Sequence, residues 1–174
     1  MNKTSNLVKA SFFLALGIII PYIFHLAGIG GSILLPMHIP VLLCGFLLGT
    51  RYGLIVGCIT PFLNSLLTGM PRLYPMALAM AFELATYGAI SGYTYKSKHL
   101  NVYLSLIIAM LAGRAVYGIV NYILLATKGE EFLFKAFLVS SFVKPIWGIL
   151  IQIAIIPFIV KMLEKNKEPA NLNG

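Results

Sequence analysis

The chain has 174 residues, of which 59% are hydrophobic and only 10% charged, with a mean hydropathy of +0.91 and a formal net charge of +8. A soluble domain carries about 25% charged residues, so this composition excludes an ordinary water-soluble enzyme and points to a single integral-membrane domain over 1–174. The positive balance fits loops facing an anionic inner leaflet, so membrane lipid is an expected partner and nucleic acid is not.

Six apolar runs predict an all-α membrane protein with six transmembrane helices: 8–26, 34–50, 52–70, 75–95, 101–127 and 134–162. A span needs roughly 20 apolar residues. Lys3 and Lys9 precede the first run, and small residues follow it at Ala27 and Gly28. A cleaved signal peptide is the competing reading there, but the run is long for such a segment.

The connection HLAGIGGSILLPMHIP (25–40) contains no Lys or Arg and is apolar for an exposed loop. Such a loop suits a lid over a pocket. His25 and His38 lie in it, but no third metal ligand is spaced near them.

Next comes GFLLGTRYGLIVG (45–57), with glycine at every fourth position and Arg51 between them. As one helix, 38–69 would run about 48 Å, against a hydrocarbon core of about 30 Å. A turn at Thr50–Tyr52 resolves this and takes Arg51 out of the bilayer. The glycines then either pack helices 2 and 3 closely or form a docking surface for another subunit. The two cysteines, Cys44 and Cys58, read as small packing residues.

Helix 3 carries a polar stripe of Thr60, Asn64 and Thr68. LTGMPRLYP (67–75) is an outer loop stiffened by Pro71 and Pro75 and holding Arg72. Glu83 on helix 4, Arg114 on helix 5 and Lys144 on helix 6 are ionisable residues inside spans, which are costly and functional by default. Arg114 shares a face with Tyr117, Gly118 and Asn121, and Lys144 with Ser140, Ser141, Trp147 and Gly148. Glu83 shares one with Ala79, Thr86 and Tyr87. A Glu83–Arg114 ion pair is expected, whether it locks two helices or serves a pocket. Arg72, Arg114 and Lys144 against Glu83 leave two positive charges over, which favours an anionic ligand. The polar tail, about 164–174, ends the chain.

Orientation follows from Lys and Arg placement. Lys3, Lys9, Arg51, Lys96, Lys98, Lys161, Lys165 and Lys167 fall on one side; Arg72, Lys128 and Lys135 fall on the other. Both termini are therefore expected in the cytoplasm. The intramembrane polar groups then converge on the extracytoplasmic half, and Glu130 and Glu131 lie outside. There is no G-x-x-x-x-G-K-[ST] loop, no G-x-S-x-G, no H-E-x-x-H and no aspartate in the chain. Neither catalytic residues, a metal nor a cofactor is expected. A membrane-embedded enzyme and a stand-alone carrier are the alternatives; the two halves show no self-similarity of the kind carriers have.

The stretches ASFFLALGIIIPYIFHL (10–26), LPMHIPVLLCGFLLGTRYGLIVGCITPFLNSLLTGMP (35–71) and AMAFELATYGAISGYTY (79–95) resemble the substrate-binding S component of an energy-coupling-factor (ECF) vitamin transporter. The resemblance implies binding of a vitamin from outside, then association with an ECF transmembrane coupling subunit and two ATPase subunits. It implies that the bound component topples in the membrane to release its cargo. It implies a helix-1 docking motif, matched by Ser11-x-x-x-Ala15, and a ligand site near the outer ends of helices 4 to 6. The Met-His start of the nickel and cobalt members is absent from Met1-Asn2-Lys3. The expected ligand-binding residues are Arg114, Lys144, Glu83, Asn64, Tyr117, Asn121, Trp147, Arg72 and His38. The positive excess makes pantothenate the leading substrate. A corrinoid precursor, riboflavin, niacin or a pyridine vitamer such as pyridoxine stays open.

Overall fold

A computed structural model describes residues 3–28, 31–127, 129 and 133–165. Lys128, Glu130, Glu131, Lys167, the chain start Met1-Asn2 and most of the polar tail lie outside the described residues. Within them the fold is helical throughout. Its elements are α1 (Lys3–Leu26), α2 (Gly31–Leu34), α3 (His38–Leu48), α4 (Thr50–Thr68), α5 (Leu78–Gly92), α6 (Val102–Ala126), α7 (Phe134–Leu138) and α8 (Ile146–Lys165). Wider π turns flank α5, at Leu73–Ala77 and Tyr93–Ser97, and a third, Val139–Val143, follows α7.

Four helical stretches are long and apolar enough to cross a membrane: Lys3–Leu26, Leu73–Ser97, Val102–Ala126 and Ile146–Lys165. The expected spans 34–50 and 52–70 differ. The first is divided into α2 and α3, and the 11 residues of α3 rise only about 16 Å. The second, α4, has 19 residues but carries Thr50, Arg51, Thr60, Asn64 and Thr68. The expected helix over 134–162 is also interrupted. Pro145 has no N–H to continue the ladder, and a turn at Lys144–Pro145, with Lys144 still at helical angles (φ −60°, ψ −47°), separates the π turn from α8.

The glycine-rich stretch does fold back on itself. Its break falls at Gly49, one residue before the expected turn, where φ is +94° and ψ 179°, a conformation an L side chain resists. A straight helix would hold residues 45 and 53 about 12 Å apart. Instead a Cβ placed on Gly53 would lie 2.8 Å from the Gly45 Cα.

The main partner of this hairpin is α5. A Cβ on Gly45 would come within 2.4 Å of the Gly88 carbonyl oxygen, one on Gly53 within 2.3 Å of it, and one on Gly57 within 2.2 Å of the Leu84 carbonyl oxygen. Gly88 and Gly92 answer from α5, facing the Gly53 oxygen and the Thr50 nitrogen. Gly45, Gly53 and Gly57 are buried, so they seal an internal three-helix seam, and the alternative of an outward docking surface falls.

Two apolar clusters flank that seam. Leu42, Leu43, Phe46, Tyr87, Leu106, Ala109, Ile156 and Val160 join α3, α5, α6 and α8. Ala10, Val41, Cys44, Val56 and Leu84 join α1, α3, α4 and α5. Helices α3 and α5 belong to both and form the axis of the fold. Along α1 only Ala10 and Gly17 are buried, so it lies on the outside.

Candidate functional site

The centre of the site is Glu83, five residues into α5 and 1% exposed. An ionised carboxylate there requires partners. Arg114, at the middle of α6, places Nη1 2.7 Å from Glu83 Oε1. Tyr87, one turn along α5, donates its hydroxyl to the same oxygen at 3.0 Å. His38, the first residue of α3, sets Nε2 3.8 Å from it, beyond hydrogen-bond reach, and tilts its ring against Tyr87 at 5.4 Å between centroids. Three helices thus bring two opposite charges, an imidazole and a phenol into one buried cluster.

The neighbouring backbones make room for it. A Cβ on Gly113 would strike the Tyr87 ring at 2.1 Å, so Tyr87 reaches Glu83 only because α6 is bare there. The segment expected as a lid, 25–40, is in part helical: it contains α2, and His38 opens α3. Leu35, Pro36, Met37 and His38 are buried, and the segment dips into the bundle. Its α2 turn lies against α8, where a Cβ on Gly148 would meet the Leu34 carbonyl oxygen at 2.7 Å.

The cluster is incompletely satisfied. Nη2 of Arg114 and both ring nitrogens of His38 are buried without a hydrogen-bond partner. The same holds for Oγ of Ser141 and for both amide atoms of Gln152, whose side chain is fully buried in α8. Buried polar groups in native proteins nearly always have partners. Asn6, Asn64 and Ser105 also carry a buried oxygen without a partner, so open polar atoms are not confined to the cluster.

Among the other expected residues, Tyr117 follows Arg114 by one turn on α6. Its ring stacks on Phe137 of α7 at 6.3 Å and 28°, and Asn121 donates to the Tyr117 carbonyl oxygen at 2.9 Å. Both continue the Arg114 face toward the C-terminal end of α6. Asn64 is placed elsewhere: its amide donates to the Gly17 oxygen at 2.9 Å and the Thr60 oxygen at 3.0 Å, clamping α4 to α1. Arg72 is exposed after α4, and Lys144 is exposed at the turn before α8. Trp147 is 64% exposed. The structure therefore gathers Glu83, Arg114 and His38, sets Tyr117 and Asn121 one and two turns farther along α6, and leaves Asn64, Arg72, Lys144 and Trp147 outside the cluster. The excess of two positive charges goes with them, because only Arg114 reaches Glu83.

Gln152 is absent from the residues expected on sequence grounds, and Ser141 enters there only as a neighbour of Lys144. The available signal is that Gln152, the chain's one glutamine, interrupts the apolar run ILIQIAII. On α1, Ser11 and Ala15 are both exposed, and the Ser11 hydroxyl is turned back onto the Leu7 oxygen at 3.1 Å.

The family profile for the ECF transporter, substrate-specific component, matches residues 5–160. The chain belongs to that family. It is a membrane-embedded transport subunit of an importer for vitamins or related micronutrients, not an enzyme. No curated protein and no solved structure gives a significant match. In this S component, Glu83 and Arg114 form a buried ion pair with Arg114 Nη2 and both His38 ring nitrogens left without partners.

Proposed function

We propose that this S component captures a small micronutrient from the extracytoplasmic side at the cluster of His38, Glu83, Arg114 and Tyr117, with both termini in the cytoplasm. The observation that carries this reading is the set of open hydrogen-bonding atoms around a buried ion pair. An ion pair that served only as a lock would have its remaining donors satisfied. The cargo then passes inward through association with a membrane coupling subunit and two ATPase chains. The exposed Ser11–Ala15 face of α1 supports docking, because small residues let another helix approach closely.

The test separates capture from transport. The purified protein should bind its solute without ATP, and uptake by cells should require the ATPase chains. Uptake that continues at full rate without them would remove the reading. Ala15→Leu should leave binding intact and stop uptake. Cysteine labelling at positions 2 and 173 should find both ends on the cytoplasmic face.

The case for pantothenate rests on the count of cations. With Arg72 and Lys144 exposed, its carboxylate would meet one guanidinium already neutralised by Glu83. That leaves the substrate to be argued from the groups that do converge.

A further inference from the structure

Gln152 is the clearest polar group on α8 without a role. Residues 148, 152 and 156 follow one face of α8, four residues apart. Gly148 lies against the carbonyls of Ile33 and Leu34, and Ile156 belongs to the cluster of Leu42, Leu43 and Tyr87. Gln152 lies one turn from each, between the α2 contact and the apolar cluster that contains Tyr87, the residue hydrogen-bonded to Glu83. It is buried with neither amide atom partnered, in a helix whose neighbours on the chain are all apolar.

The charge of the converging groups is the second observation. Glu83 and Arg114 cancel at 2.7 Å. The further cations of the chain that were expected here, Arg72 and Lys144, are exposed. What is offered is hydrogen bonding in both senses. Arg114 Nη2 and Gln152 Nε2 donate, Gln152 Oε1 accepts, and the two His38 nitrogens supply one of each when the ring is neutral. A carboxylate would add an uncompensated negative charge to a buried, charge-balanced site and would leave Gln152 Oε1 facing an acceptor.

We propose that Gln152 is a substrate-contacting, specificity-determining residue, and that the site takes a solute of zero net charge presenting both a donor and an acceptor, such as a carboxamide or a nitrogen heterocycle. This rests on the assignment of the Glu83–Arg114 cluster as the solute site. Selectivity then comes from the amide: a solute lacking the complementary pair leaves Gln152 unpaired, a discrimination hydrogen-bonding sites make far more sharply than apolar ones.

The experiment uses the purified full-length protein in detergent, with a rich growth medium as the source of solute. The low-molecular-weight fraction of the medium is passed over an anion-exchange and then a cation-exchange resin at neutral pH, and thermal unfolding is followed with the flow-through and with each retained fraction. The final flow-through of uncharged molecules should raise the Tm of the wild type. Protection only by a retained, charged fraction overturns the neutral-solute inference but keeps the solute site; protection by no fraction overturns both. The near-isosteric Gln152→Met, with Gln152→Leu as a second variant, should raise the Tm of solute-free protein by about 2–4 °C, because a buried unpartnered amide is removed, and should lose the flow-through protection. A lower Tm in both variants, or undiminished protection, overturns the role of Gln152.

Discussion

The glycine seam and the Glu83 cluster share a helix, α5, and solve opposite problems. Along the seam, α3 and α4 approach α5 so closely that a methyl group at Gly45, Gly53, Gly57 or Gly88 would lie 2.1–2.4 Å from a backbone oxygen. That contact is backbone against backbone, joined at Gly45 by the Ser91 hydroxyl, 2.1 Å from the added Cβ. Around Glu83, helices of the same bundle present long polar side chains whose donors and acceptors are in part unmatched. The seam is closed to any addition, whereas the cluster keeps open donors and acceptors. If the cluster is the solute site we propose, rigidity on one side of α5 holds Glu83 in place for an exchangeable partner on the other.

The largest effect should come from breaking the seam. Gly88→Leu places atoms where the Gly53 oxygen and carbonyl carbon already stand, at 2.1 and 2.4 Å. No flexible side chain can yield, so α4 and α5 must separate at a cost of at least about 3 kcal/mol. The variant should give little monodisperse protein on size exclusion after extraction. A variant that melts within a few degrees of wild type would show that the seam is looser than its geometry.

The cluster should respond differently, because its cost lies in charge and not in volume. Arg114→Ala strands a buried carboxylate and should destabilise by about 3–5 kcal/mol, with solute binding lost. Glu83→Leu combined with Arg114→Leu removes both charges and should recover most of that stability without restoring binding. Stability and affinity together in the double variant would make the pair a structural lock and nothing more. Thermal melts with and without the protecting fraction of medium read both quantities in one series.

What the sequence makes legible follows the same division. Charge within an apolar run is conspicuous, so Glu83 and Arg114 stand out, and their pairing is expected. The glycines stand out by spacing, but a four-residue period says only that a face is bare and not which helix covers it; α5 begins only at Leu78, well along the chain. Trp147, Lys144 and Asn64 group with the site by depth alone. Depth ignores rotation: Trp147 is about 100° around the helix from buried Gly148, and the π turn and the turn at Lys144–Pro145 interrupt the regular face expected for Lys144. Gln152 escapes because an amide carries no charge and its burial depends on tertiary packing that no local pattern encodes.

Asn64 sharpens the boundary of the site. Its amide holds the Gly17 and Thr60 carbonyls, so Asn64→Leu should cost about 1 kcal/mol through a weaker α1–α4 contact. Solute affinity should be unchanged. A variant that lost affinity while keeping its melting temperature would extend the site across α4.

The smallest expected effect is at Trp147, where size and aromaticity would make an attractive platform for a ring. The side chain is 64% exposed on the outer surface of α8, whereas its neighbour Gly148 is held against the carbonyls of α2. For the indole to reach the cluster, α8 would have to turn by roughly a quarter of a revolution, which would drive a residue other than glycine onto the Leu34 oxygen. Trp147→Ala should therefore change stability by no more than about 0.5 kcal/mol and leave solute protection as in wild type. A tenfold loss of affinity in this variant would mean that α8 does rotate when solute binds, and that the contact between Gly148 and α2 opens to let it.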